Sequence, residues 1–151
     1  MHILVIGYGN PGRLDDGLGP AFAERIASLA IPGVTADADY QLNVEDAEAV
    51  ARHDAVLFAD ASVDAAAPFT LTPLAPAPGV LGFSSHSVSP STLLGLAASL
   101  FGARPRAWLL ALRGYEFDAF GEGLSAQAAA NLDAAVAHLA TLLRAGLPDG
   151  Q

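Results

Sequence analysis

At 151 residues the chain is long enough to bury a core, and its 52 % hydrophobic content marks it as globular rather than disordered. Seven Lys+Arg against 16 Asp+Glu leave a formal net charge of -9. This argues against nucleic acid or an anionic membrane as partner, since phosphate contacts need clustered cations; a basic protein surface is the better complement. With no cysteine, disulfides, thiolate ligands and a cysteine nucleophile are excluded, so any metal site must be built from His, Asp and Glu.

Ile3, Leu4, Val5 and Ile6 form a continuous apolar run, the pattern of a strand buried on both faces. The run is too short for a secretory signal, and no segment approaches the roughly 18 apolar residues of a membrane span. A cytoplasmic protein is expected. A glycine-rich loop follows, and Gly19-Pro20 offers a helix start, with Phe22, Ile26 and Leu29 at helical spacing. Pro32-Gly33 breaks that helix. Val34–Tyr40 reads as a second strand, and Asn43 as the cap of a short acidic helix from Val44 to Arg52.

Residues Asp54 to Asp60 form a buried strand that ends on an acid. The proline-rich stretch Ala65–Gly79 reads as a loop with an edge strand at Phe69–Leu71. Ser89-Pro90-Ser91 opens a helix with Leu93, Leu94, Leu96, Ala97 and Leu100 facing inward, and Gly102 ends it. Trp108–Leu112 is a further strand. Ser125 caps a last helix whose Leu132, Val136, Leu139 and Leu143 keep an apolar stripe. Strands alternating with helices give an α/β fold, expected as one three-layer sandwich domain with a mostly parallel twisted sheet flanked by helices. In such sheets the functional site lies at the carboxyl ends of the strands.

The loop after the first strand, Gly7-Tyr8-Gly9-Asn10-Pro11-Gly12, is a literal G-x-G-x-x-G. A dinucleotide site needs its third glycine to open a helix onto the pyrophosphate. Gly17, Gly19 and Pro20 are poor interior helix residues, so the helix is expected to begin after them. Asp15 and Asp16 would moreover repel a pyrophosphate. Asp37 and Asp39, near the end of the second strand, are what remains in favour of a nucleotide, as acids for a ribose.

A different constellation converges on the same edge. The first loop supplies Asp15 and Asp16, the third strand ends on Asp60, and Gly82-Phe83-Ser84-Ser85-His86 brings an imidazole before a helix. Taken singly, Asp16 could close an Asp-Gly turn, Asp60 could cap the next segment, and His86 could be a surface residue. Together, two carboxylates and a histidine suit Ni²⁺, Zn²⁺ or Mn²⁺, with coordination positions left open for water or substrate. His2, His53 and His138 lie away from this edge. No G-x-S-x-G elbow is present, which disfavours a serine hydrolase.

These residues resemble the [NiFe]-hydrogenase maturation endopeptidases over nearly the whole chain. Gly7-x-Gly9-Asn10-x-x-x-x-Asp15-Asp16-Gly17-x-Gly19 follows that family's N-terminal signature, and Ala59-Asp60-Ala61 and the stretch from His86 are similar to its second and third motifs. The resemblance implies an enzyme that removes a C-terminal extension from the hydrogenase large-subunit precursor after nickel insertion. Asp16, Asp60 and His86 would then be the metal-contacting and catalytic residues, and the nickel would belong to the substrate rather than be held permanently. A cytoplasmic monomer with no nucleic-acid or membrane partner is implied. Two routes of cleavage fit: nickel polarises the scissile carbonyl or a water, or nickel only docks the precursor while Asp15 or Asp16 acts as base. Asp15 could equally brace the loop. A nickel-dependent chaperone that docks the precursor without cutting it is the competing function. The chain departs from the family pattern at Asp39-Tyr40-Gln41-Leu42-Asn43, where many relatives are glycine-rich, and at Asp16, where some carry Glu.

Overall fold

The computed structural model describes residues 1–77 and 88–148. A five-stranded sheet carries strands β1 (Ile3–Tyr8), β2 (Val34–Asp39), β3 (Ala55–Ser62), β4 (Phe69–Pro73) and β5 (Arg106–Arg113) in the order β2-β1-β3-β5-β4. All pairings are parallel except β4 with β5. The helices are α1 (Leu18–Ser28), α2 (Asp46–Ala51), α3 (Pro90–Phe101) and α4 (Ala126–Arg144). Alternation along the strands divides the core in two. Ile3, Val5, Leu57 and Leu110 pack with Phe22 and Ile26 of α1 and Leu132 and Leu139 of α4. Leu4, Ile6, Val56 and Phe58 pack with Val50 of α2 and Leu93 and Leu94 of α3. The expected three-layer α/β arrangement is the one observed, and among the described residues no helix is long and apolar enough to cross a membrane.

The apolar runs Ile3–Ile6 and Ala55–Ala59 are almost fully shielded because helices cover both faces of the parallel strands. β4, with Thr70, Thr72 and a terminal proline, occupies an edge, where the missing proline N–H breaks no ladder. Ser89 caps α3, its Oγ accepting from the Thr92 N–H at 3.1 Å, and Gly102 ends it in the left-handed region at φ 67. Ser125 caps α4 by accepting from the Ala128 N–H at 3.2 Å.

Several expectations are corrected. α1 begins at Leu18, so Gly19 and Pro20 lie in its first turn rather than before it. Proline is tolerated there because first-turn N–H groups have no intrahelical partner. Glycine is required because a Cβ on Gly19 would stand 2.3 Å from the Tyr8 carbonyl oxygen and 2.7 Å from that of Ala59. Leu29 falls outside α1 and is 39 % exposed. Leu100 is 64 % exposed: it sits on the last turn of α3, outside the core cluster that takes in Leu93, Leu94, Leu96 and Ala97. Asn43 does not cap α2 with its side chain; instead Asp46 reaches back and accepts from the Asn43 N–H at 2.9 Å.

Candidate functional site at the β1–β3 switch point

The chain leaves β1 toward β2 on one side, and returns through α2 to β3 on the other. The connections therefore diverge above the carboxyl ends of β1 and β3, the switch point at which sheets of this kind carry their sites. Register pairs Gly7 with Ala59, so Tyr8 and Asp60 come next to each other on adjacent strands. Both follow the alternation of Leu4, Ile6, Val56 and Phe58, and Tyr8 packs against that same cluster.

The loop Gly9–Gly17 folds back over these strand ends. A Cβ on Gly7 would lie 2.0 Å from the Gly19 carbonyl oxygen, and one on Gly9 (φ 145) would lie 2.2 Å from that of Asp16. The two glycines thus let the backbone of the loop and of α1 rest directly on β1. Asn10 organises the turn: its Oδ1 accepts from the Gly12 N–H at 2.8 Å and its carbonyl from the Arg13 N–H at 3.0 Å. Gly12 therefore closes an Asx turn instead of opening a helix, and a 3₁₀ turn, Leu14–Gly17, precedes α1. This is not the geometry of a pyrophosphate cradle.

Asp15 and Asp16 sit in that 3₁₀ turn and diverge. The Asp15 side chain is fully buried. It accepts from the N–H groups of Tyr115 (2.8 Å), Glu116 (3.0 Å) and Ser125 (2.7 Å) and from the Ser125 hydroxyl (2.7 Å). Burial alone would push its pKa up, but the donors from Ser125, Tyr115 and Glu116 outweigh it and hold the carboxyl below its ordinary value. With its acceptor positions filled, Asp15 is a brace and not a free base.

Asp16 is half-buried and turns the other way. Its Oδ2 accepts from the Asn10 N–H at 2.9 Å, while Oδ1 makes no hydrogen bond among the described residues. Asp60 is also half-buried, and its pKa is raised to about 6. Desolvation is the main cause. The Ala61 N–H and the Tyr8 hydroxyl favour the charged form, and the negative charge of Asp16 opposes it. The Tyr8 hydroxyl in turn is pushed upward, by burial and by Asp60. The structure therefore brings Asp16, Asp60 and Tyr8 together.

His86 lies outside the described residues. Val88, the first described residue after it, packs against the same core cluster as Tyr8, and Ser89 follows as the cap of α3. Among the described residues no group of three His, Asp or Glu side chains is arranged to hold a metal. The other histidines are elsewhere: His53 Nδ1 contacts the Ala49 carbonyl at 2.6 Å and the His138 ring lies 5.5 Å from that of Phe69. Asp39 is occupied by its own turn, accepting from the Tyr40 N–H at 2.8 Å.

Two features of the site escape sequence reasoning. Tyr8 occupies the variable position of the Gly-x-Gly pair, and only the β1–β3 register sets it beside Asp60. Ser125 is legible as a helix cap, but its second duty toward Asp15, 110 residues away, is not.

No protein-family model matches the chain, and no curated protein matches it in sequence. Solved structures do match in fold. The chain is similar to a [NiFe] hydrogenase maturation protease, HycI, from Thermococcus kodakarensis, at TM-score 0.70 and 21 % identity, over 95 % of this chain and 92 % of that one. It is similar to the hydrogenase maturating endopeptidase HybD from E. coli at TM-score 0.64 and 22 % identity, over 97 % and 94 % of the two chains. A hydrogenase 2 maturation peptidase from a Thaumarchaeota archaeon gives TM-score 0.64 and 22 % identity, over 98 % and 100 %. The fold is thus shared with hydrogenase maturation proteases over nearly its full length.

Proposed function

We propose that the chain is an endopeptidase that removes the C-terminal extension of a [NiFe]-hydrogenase large-subunit precursor, recognising inserted nickel through Asp16, Asp60 and His86. The observation that carries this reading is the meeting of Asp16 and Asp60 at the β1–β3 switch point, close enough for one charge to raise the pKa of the other. Two neighbouring carboxylates, one of them desolvated, repel each other, and a divalent cation brought by the substrate would relieve that repulsion. With His86, which the motif resemblance supplies, the set would be one of mixed oxygen and nitrogen donors, suited to nickel. The motif resemblance and the shared fold support the same conclusion.

Within this reading the residues divide their work. Asp16, fixed through one oxygen by the Asn10 N–H, presents the other to the nickel of the precursor. Asp60, held by the Ala61 N–H and the Tyr8 hydroxyl, supplies the second carboxylate to that nickel, which would polarise the scissile carbonyl or the attacking water. The proton released by the water passes to the departing amine as the peptide bond breaks. Asp15, saturated by its donors, takes no part in proton transfer.

The test is to incubate the protein with nickel-loaded and nickel-free precursor and to weigh the large subunit by mass spectrometry. Loss of the tail from the nickel-loaded form alone is expected. Unchanged mass with a stable complex would replace the protease by a nickel-dependent chaperone, and absence of both would refute nickel recognition.

A further inference from the structure

The connection between β5 and α4 is tied to the site loop along its length. The Gly121 N–H donates to the Gly12 carbonyl at 2.8 Å, the Leu14 N–H to Gly121 at 3.0 Å, and the Asp15 N–H to Glu116 at 3.0 Å. The Arg13 guanidinium donates to the Phe117 carbonyl at 3.1 Å. Leu14 is held at φ 53, an uncommon conformation for a branched residue, between these bonds. The buried Asp15 carboxylate closes the set by gripping Tyr115, Glu116 and Ser125. Asp15 thus has a purpose outside hydrolysis: it fixes a lobe to the turn that carries Asp16.

On this lobe stands Phe120, 86 % exposed, with the Arg13 guanidinium 5.8 Å from its ring centroid. Tyr115, under the Arg113 guanidinium at 4.8 Å, is a second exposed aromatic on the same connection. An aromatic side chain presented by an already ordered backbone is a pre-organised anchor, because little conformational entropy is lost when a partner covers it. Glu116, Asp118 and Glu122 of the same connection are exposed to solvent. We propose that this lobe is a docking site for a protein surface with an apolar pocket rimmed by lysine or arginine. Resting on the function proposed above, that surface belongs to the body of the large-subunit precursor. Charge decides the occupant: a second copy of this chain carries the same net charge of -9 and the same exposed acids, so a basic surface is the better complement. Because the lobe and Asp16 share one braced loop, docking there sets Asp16 against the bound precursor.

Binding of the nickel-loaded precursor to the wild type, Phe120→Ala and Phe120→Tyr is measured by calorimetry at low and high salt, with the large-subunit mass read in parallel. The alanine variant is expected to bind about tenfold more weakly, with the tyrosine variant restoring most of the loss. Wild-type affinity should fall as salt rises. An alanine variant that binds within about twofold of wild type, or an affinity indifferent to salt, overturns the lobe. If the wild type cuts the precursor while Phe120→Ala binds equally well, the lobe fails and the protease stands. If Phe120-dependent binding occurs without any mass change, the protease fails and the lobe stands. A Phe120-dependent dimer in light scattering would overturn the proposal by making the occupant a second copy.

Discussion

Replacing Asp60 by asparagine keeps the shape of the side chain and removes its charge, so it isolates what that charge costs the fold. In the native protein burial and the nearby Asp16 raise the Asp60 pKa from 3.8 to about 6. Native Asp60 therefore binds a proton between these values that the unfolded chain has already released. Stability attributable to this residue is constant below about pH 4, falls as pH rises to about 6, and stays low above it. A rise of that size corresponds to about 3 kcal/mol if fully expressed, and partial solvent access at Asp60 reduces it to roughly 1–2 kcal/mol. Asp60→Asn should therefore be more stable than wild type by about that amount at pH 8, a gain of about 2–8 °C in Tm for a domain of this size. The gain should vanish near pH 4. Urea denaturation of both proteins across pH 4–8, followed by far-UV circular dichroism, measures the difference directly. Equal stability at pH 8, or a gap that persists unchanged at pH 4, would refute the claim that Asp60 is held charged against its environment. In an Asp16→Asn background the gap should shrink, since one source of the upward shift is gone.

Asp15→Ala leaves the Tyr115, Glu116 and Ser125 N–H groups without their acceptor, and should cost about 3–5 kcal/mol in denaturant unfolding. Because the native Asp15 pKa is lowered, its stabilisation is present above the unfolded value near 3.8 and is lost on further acidification through the native value, so the deficit should narrow at the acid end. Gly7→Ala drives a Cβ to 2.0 Å from the Gly19 carbonyl oxygen and should destabilise by about 4 kcal/mol or more, seen as loss of soluble folded protein; a well-folded variant would mean that α1 can step away from β1. Asp16→Ala, Asp60→Ala and His86→Ala should each abolish processing of nickel-loaded precursor while the circular dichroism spectrum stays native. Wild-type turnover by any of them removes that residue from the site. Because Asp60 must be ionised to hold the nickel, binding of the nickel-loaded precursor should weaken as pH falls through about 6, and binding unchanged from pH 5 to 8 would remove Asp60 from the nickel contact.

Continuous apolar runs such as Ile3–Ile6 announced buried parallel strands, and Ser89, Ser125 and Gly102 announced helix ends, because these signals are local: burial on both faces, an oxygen for a bare N–H, a left-handed residue. Asp16 and Asp60 at the carboxyl ends of neighbouring strands were legible for the same reason, since one lies on the loop leaving the first recognisable strand and the other near the end of the third. The start of α1 was not, because Gly19 is unfavourable to a helix by propensity and is demanded by a strand and carbonyl oxygens distant in sequence. Nor could local chemistry separate Asp15 from Asp16; only the motif resemblance singled out Asp16. Adjacent, identical side chains have the same local chemistry. Their different fates follow from the return of residues 115–125 to the loop, which delivers the donors to Asp15 alone. The same return exposes Phe120 and leaves Asp16 facing Asp60. Residue types and their spacing specified the strands, the caps and the acids at the sheet edge. Only the tertiary structure decided which acid is a strut and which lies beside Asp60, because hydrogen-bond donors from distant segments meet a carboxylate only once the chain has closed on itself.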